Sequence, residues 1–448
     1  MILYPIVVKP SSILLHEVPA ISLPRRLCRL WGLESGEKYE LLIGMEKHSV
    51  TLVIHDEHDD HAFANECLVQ QCPYFKPSLK WRIAFLPELN QLWFGPIFAI
   101  LSDHTRTEGH SLTAFLEEFI AYSNEQGCLT YVIHPSEWSM EKANARTYYN
   151  SEWIDTFVPL PHVVYNRIGS RRLEKSALVQ GMMASFHSHH IPIWNERFLD
   201  KGEIHTLLAD APSVREHVPS SWPTWDEATL LQLLAEGKNA FLKPKDGKEG
   251  KGIFKLSFDE ERLIVHRHTE QVIHFRTVEH FLRVFFFKNK QNYMLQQGIS
   301  LMRENESVVD FRLLLIKTAN GRWKVVSAVA RQSNAGHFLT NIAQGGTFRT
   351  VQDVLSSWYD QSHASSQWTK MKQVAKDAAA TLETSGQLIE LGLDMAIDVN
   401  DHIWIIEANT KPSKQHRLLT VGVRPSTKKL LAYFYEWTVK NHLLKETD

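Results

Sequence analysis

A chain of 448 residues with 44% hydrophobic and 22% charged side chains is longer than one hydrophobic core normally serves, so two or three domains are expected. A formal net charge of −2 removes nucleic acid and anionic membrane surfaces as expected partners. No apolar run reaches the roughly 18 residues of a membrane-spanning helix, which leaves a globular, multidomain protein.

The first residues, Met1–Pro5, lack the basic and apolar regions of a signal peptide. Cys28, Cys67, Cys72 and Cys128 form no C-x-x-C pair and read as reduced thiols of a cytoplasmic protein. Ile6–Val8, Tyr39–Gly44 and Val50–Ile54 are short apolar runs separated by turn residues, which predicts a β-rich N-terminal domain over 1–90, a small barrel or sandwich. Leu23–Leu33 has helical spacing and ends at a glycine, Gly32. The run His55–His61, rich in His and Asp, holds metal-ligand types but nothing that sets a geometry, and reads as a solvated loop, as do His187, His189 and His190.

From Leu92 the pattern changes. Phe94–Leu101 predicts a buried strand, Thr113–Tyr122 an amphipathic helix, Gly127–His134 a second strand and Val163–Gly169 a third, with a helix from Leu173 to Phe186. Strand, helix, strand in this order predicts a parallel sheet and a small α/β domain over 91–194. Lys201–Ser221 reads as a polar helix broken by Pro219 and Pro223, and Trp225–Glu236 as another helix.

Next, a strand ends at Lys243, and Gly247, Gly250 and Gly252 punctuate a loop bearing Lys245, Lys248 and Lys251 before a strand resumes at Ile253. Glycines let backbone N–H groups approach phosphate, and lysines add charge. No Gly-Lys-Ser/Thr opens a helix here, so this is not a Walker A loop. A strand follows, so it is not a dinucleotide fingerprint. By itself the stretch fits a phosphate-binding flap and a plain β-turn equally.

Tyr293–Leu301 predicts a strand interrupted by Gly298. Asp310–Ile316 and Trp323–Arg331 predict a hairpin through Asn320–Gly321, which sets Arg312 and Arg331 on adjacent strands, where an anion would draw them together or else they would splay into solvent. Asn341–Phe348 is a glycine-bearing loop, and residues 366–387 read as a helix with Glu390 a charge just past its end. The stretch Leu391–Pro412 predicts a second hairpin with polar turn Asn400–His402. Asp394 lies on its first arm, and Glu407 and Asn409 share a face of its second. Two carboxylates and an amide oxygen suit Mg²⁺; an ordinary hairpin with acids at its ends fits the same residues. Asp398 and Asp401 read as turn acids, and Pro425–Leu444 as a closing helix.

In this order, Asn195–Lys201, Phe241–Pro244, Gly247–Gly252, Asp310–Arg312, Asn341–Gly346 and Glu407–Pro412 resemble the ATP-grasp superfamily, and within it the YheC/YheD family described as endospore coat-associated. The resemblance implies an α/β (α+β) ATP-grasp fold, two-lobed over 195–448, behind the pre-domain and the β-rich domain. It implies that Lys201 and Lys243 contact ATP phosphates under a flap at Gly247, Gly250 and Gly252, with Asn341 beside them. It implies that the backbone of Gln296, Gln297, Gly298 and Ile299 reads the adenine edge. Arg312 and Arg331 take the catalytic role of holding the γ-phosphate, and Asp394, Glu407 and Asn409 hold Mg²⁺, two ions being expected. The activity implied is an ATP-dependent ligase joining an unidentified carboxylate to an amine or thiol through an acyl phosphate. Gln296–Gln297 stand where many members carry an acid. A nucleotide-binding assembly protein of the spore coat, with coat proteins as partners, and a phosphotransferase on the same fold are the competing readings.

Overall fold

Alternation of inward apolar and outward polar residues builds the N-terminal strands. In Lys38–Ile43, Tyr39, Leu41 and Ile43 are buried while Lys38 points outward. The computed structural model describes residues 3–11, 17–56, 60–75, 79–103, 111–138, 144–245, 252–259, 262–267, 271–286, 290–334, 346–414 and 422–444. They divide into two units, 1–197 with 413–448, and 198–412.

In the first unit, Tyr4–Pro10, His61–Ala64, Ala20–Pro24, Glu46–His55, Lys38–Ile43, Gln91–Gly95 and Lys80–Leu86 close into a barrel in that order around the circumference. A sheet follows in the order Glu152–Phe157, Asn144–Tyr149, Leu129–Ile133, Ile97–Leu101, Val163–Asn166, Ile193–Trp194. Its strands from Leu129–Ile133 to Ile193–Trp194 are parallel. The single strand expected over Phe94–Leu101 is two strands in two sheets, Gln91–Gly95 in the barrel and Ile97–Leu101 in the α/β sheet. Pro96, which has no N–H to donate to a ladder, marks the division. The helix expected over Leu173–Phe186 is likewise two, Arg171–Glu174 and Ala177–Ser188, because Ser176 caps a new start by accepting from the Val179 N–H.

The closing helix, Pro425–His442, belongs with this first unit and not with residues 198–412. Phe434 explains why: its ring meets Trp194 at 4.6 Å, Phe98 at 5.2 Å and Phe119 at 5.4 Å, an aromatic cluster that buries far more apolar surface than a solvated helix would.

The second unit has two lobes. One is an antiparallel sheet in the order Ser221–Trp222, Tyr293–Gln297, Ala240–Pro244, Phe254–Asp259, Arg262–Arg267, Val272–Phe275, backed by helices Glu227–Ala235 and Val278–Phe285. The other is Thr347–Arg349, Trp323–Gln332, Ser307–Lys317, Glu390–Ile397, Ile403–Asn409, packed against helix Gln361–Glu383. Every residue of Glu390–Ile397 is buried, so Glu390 is a fully enclosed strand residue and not a helix-end charge. The polar helix from Lys201 ends at Asp210, since Pro212 disfavours helical geometry in the residue before it.

Among the described residues no helix is long and apolar enough to cross a membrane. Cys28, Cys67, Cys72 and Cys128 are thiols, none of them in a disulfide.

Candidate active site

Cross-strand register brings the candidate residues of the second lobe onto one face. Arg312 pairs with Asp394, and Asp394 with Glu407 across the next ladder; Gly392 pairs with Asn409. Directly paired residues face the same side of a sheet. A bulge follows Asp394, where the partner strand skips from Glu407 to Ile405, and bulges re-aim side chains next to sites. Gly392 is required by a close approach: a Cβ there would lie 2.8 Å from the Cβ of Pro412, so only glycine lets the Thr410–Pro412 turn lie against this face.

Both arginines converge on Asp394. Arg312 donates through Nε and, at 2.7 Å, through Nη2; Arg331 Nη2 lies 2.9 Å from Asp394 Oδ2. Arg331 also forks onto Asp310, Nε to Oδ1 at 2.7 Å and Nη2 to Oδ2 at 2.5 Å. The anion that draws the arginines together is therefore a carboxylate of the chain itself. Burial by itself would push the Asp394 carboxyl up, but the Arg312 and Arg331 charges outweigh it and hold it below its ordinary value. Burial opposes the charge on Arg331 as well, yet Asp310 and Asp394 raise its pKa.

The cations of the site come from two other elements. Lys201 is the first residue of helix Lys201–Asp210, whose N-cap Asp200 accepts from the Glu203 N–H at 2.8 Å. A lysine there adds to the positive end of the helix dipole, a place suited to an anion, and Lys201 Nζ lies 3.8 Å from Glu407 Oε1. Lys243, on Ala240–Pro244, donates to the side-chain carbonyl of Gln296 on the adjacent strand. Lys201, Lys243, Gln296 and Glu407 line one cleft with Ile204 and Met294.

Burial pushes the Lys243 ammonium down to about 8, helped by repulsion from Lys201 and opposed by Glu407 and Asp394. The lysine is charged below that pH and neutral above it. Anion binding in the cleft is therefore expected to weaken as pH rises from 7 to 9, measured by titrating a nucleotide at each pH. An unfolded lysine keeps its proton to near 10.4, so the unliganded protein gains stability over the upper part of the same range, the opposite trend.

The hinge differs from the expectation in part. The Gln297 N–H donates to Ser220 O at 2.8 Å and the Gly298 N–H to Asn239 O at 2.7 Å, so at least these backbone amides among those assigned to an adenine edge already serve the fold. Gly298 is there because a Cβ would stand 2.6 Å from the Asn239 Cβ. The side chain of Gln296, by contrast, faces the cleft, its Nε2 donating to Ser221 Oγ at 2.9 Å. Alternation along the strand sends Gln297 to the other face. Gly247, Gly250 and Asn341 lie outside the described residues; Gly252, the last of the loop glycines, has φ +75°.

Sequence reasoning gave no role to the Gln296 side chain, to Asp310 or to His205, which also lines the cleft. Asp310, two residues before Arg312 and so on its strand face, carried the one available signal. Asp398 is a turn acid: Oδ1 accepts the N–H groups of Asn400 and His402, both at 2.9 Å, and Oδ2 accepts Trp404 Nε1–H at 2.8 Å.

Asp394, Glu407 and Asn409 offer only hard oxygen donors. Among the described residues no three His, Cys, Asp or Glu side chains cluster as a cage, but Mg²⁺ takes one or two carboxylates and completes its octahedron with water and phosphate. The donor set fits such an ion.

A family model for YheC/D-like ATP-grasp domains matches residues 190–435. The chain belongs to that family. Its fold is accordingly ATP-grasp, mixed α and β. The endospore coat-associated protein YheD of Bacillus subtilis (strain 168) is 27% identical over 317 residues, 67% of this chain and 68% of that one. The endospore coat-associated protein YheC of the same organism is 22% identical over 277 residues, 59% and 74% of the two chains. Among solved structures, the VanG D-Ala:D-Ser ligase from Enterococcus faecalis aligns over 77% of this chain and 100% of its own, at 12% identity and a TM-score of 0.45.

Proposed function

We propose that this protein is an ATP- and Mg²⁺-dependent ligase that joins a carboxylate to an amine or thiol through an acyl phosphate. One observation carries the reading: in a chain of the ATP-grasp family, two lysines from separate elements meet Glu407 in a cleft, and Glu407 is the register partner of an arginine-bound aspartate. Lys201 and Lys243 supply charge for the phosphates of ATP. Arg312 and Arg331 neutralise the γ-phosphoryl group, forked donors being suited to phosphate. Asp394, Glu407 and Asn409 would hold Mg²⁺, two ions being expected, which supplies further charge neutralisation. Such a site accelerates phosphoryl transfer by positioning and electrostatics.

The substrate carboxylate oxygen forms a bond to the γ-phosphorus while the bond to the β–γ bridging oxygen breaks and ADP leaves. The amine or thiol then attacks the acyl carbon, phosphate departs, and the nucleophile loses its proton. Adenine would meet the hinge through the Gln296 side chain and the Ile299 backbone, with Gln297 and Gly298 in support. The names of the two relatives favour a second reading, a nucleotide-binding protein that assembles with the spore coat, in the cytoplasm or on the coat itself.

Calorimetric titration of ATP with Mg²⁺ into wild type and Glu407→Ala, with phosphate release followed in parallel, separates the two. The ligase predicts binding weakened at least tenfold in Glu407→Ala, and phosphate release only when an acid and an amine or thiol are both present. Tight binding with no release in any mixture favours the assembly reading, and no binding by wild type removes the site assignment.

A further inference from the structure

Asp394 has two tasks that compete. In this structure it accepts two N–H bonds from Arg312, through Nε and Nη2, and its Oδ2 lies 2.9 Å from Arg331 Nη2. A carboxylate offers about four lone-pair directions, so three contacts with guanidinium leave one. Arg331 could close that one. Its guanidinium is a planar fork that takes a carboxylate with two bonds wherever it is free to do so, yet toward Asp394 it makes a single contact at 2.9 Å. What occupies the fork is Asp310, its direct register partner, through contacts of 2.7 and 2.5 Å. The pair lies in a nearly closed environment, with side-chain exposures of 15% for Arg331 and 10% for Asp310, so water competes weakly for either group. With Asp310 the quartet of two aspartates and two arginines is neutral; without it the quartet carries one net positive charge beside Asp394.

Resting on the nucleotide reading above, we propose that Asp310 is a positioning residue: by holding Arg331 in a two-bond pair, it keeps Asp394 open to a divalent cation. It touches neither phosphate nor metal itself. Its effect passes through Arg331, in the way partners of metal ligands tune a metal site.

The test is Asp310→Asn, which preserves shape and removes the charge. ATP binding is measured by calorimetry across a Mg²⁺ series and again in chelator. The expected result is a Mg²⁺ midpoint raised roughly tenfold to a hundredfold, with binding in chelator unchanged or tighter, because Arg331 gains freedom toward an anion. A midpoint within twofold of wild type overturns the proposal. So does weakening of equal size with and without Mg²⁺, which marks a merely structural role.

The double variant Asp310→Asn with Arg331→Gln removes the freed guanidinium together with its partner and restores local neutrality. It should return the midpoint to near the wild-type value, and it serves as the test if the single variant does not fold; a midpoint that stays raised refutes the mechanism. Wild type that binds no ATP at all brings down the nucleotide reading and this one with it. Wild type that binds, with an unmoved Asp310→Asn midpoint, brings down this one alone.

Discussion

Asp394→Ala is expected to destabilise the 198–412 unit by about 3–5 kcal/mol, the usual cost of removing one partner from a buried ion pair. Two effects oppose each other. Alanine spares the fold the desolvation of a carboxylate whose side chain is only 7% exposed. It also strands the Arg312 guanidinium, 23% exposed, and takes from Arg331 the second of its two carboxylates. Guanidinium cannot shed its charge at any ordinary pH, so the stranded cation outweighs the relief.

Thermal unfolding followed by circular dichroism should therefore fall by roughly 10 °C, at the 2–4 °C per kcal/mol typical of units this size. Asp394→Asn, which keeps an acceptor for the arginines, should lose less. The sign with pH follows from the depressed Asp394 carboxyl: its contribution is whole above the unfolded pKa near 3.9 and disappears as pH falls through the lower folded value. The variant should lack that part of the acid limb. A melting temperature within 2 °C of wild type would mean that the pair contributes little to the fold.

Lys243→Met should act in the reverse sense, leaving stability intact and removing binding. The substitution retains a flexible apolar chain for the cleft wall and deletes an ammonium that burial and Lys201 already disfavour, so the melting temperature should hold or rise. The lost charge-assisted contact to phosphate is worth about 2–4 kcal/mol, which is roughly 30-fold to 1,000-fold in the dissociation constant for ATP with Mg²⁺. Calorimetry decides it: an affinity within threefold of wild type would remove Lys243 from the phosphate site. The contrast between the two variants matters more than either alone. Asp394 is built into the sheet and Lys243 projects from it, so a phosphate site requires one to cost stability and the other to cost affinity.

The motifs that mark this family are local. Glu407–Pro412, Asp310–Arg312 and Phe241–Pro244 each lie within a few residues, and alternation along a strand already states which of them share a face. That is why membership of the ATP-grasp family, its α+β fold and most strands could be read from one chain. The side-chain partnerships could not, because register between strands far apart in sequence decides them. Asp394 and Arg312 are 82 residues apart and Lys243 and Gln296 are 53 apart; neither pair carries a local signal.

The same reason covers the remaining differences. Pro96 was visible, but that it separates two sheets and does not merely interrupt one depends on what each half pairs with. Glu390 follows a helix in sequence yet lies enclosed within a sheet. Pro425–His442 was legible as a helix, but its place in the first unit is set by Trp194, Phe98 and Phe119, aromatics hundreds of residues upstream. By itself the sequence determined the family, the order of the elements and the faces of the strands, all of which follow from short-range periodicity and chemistry. Only the tertiary structure decided which charge answers which, since ion pairs and packing are settled where distant strands meet.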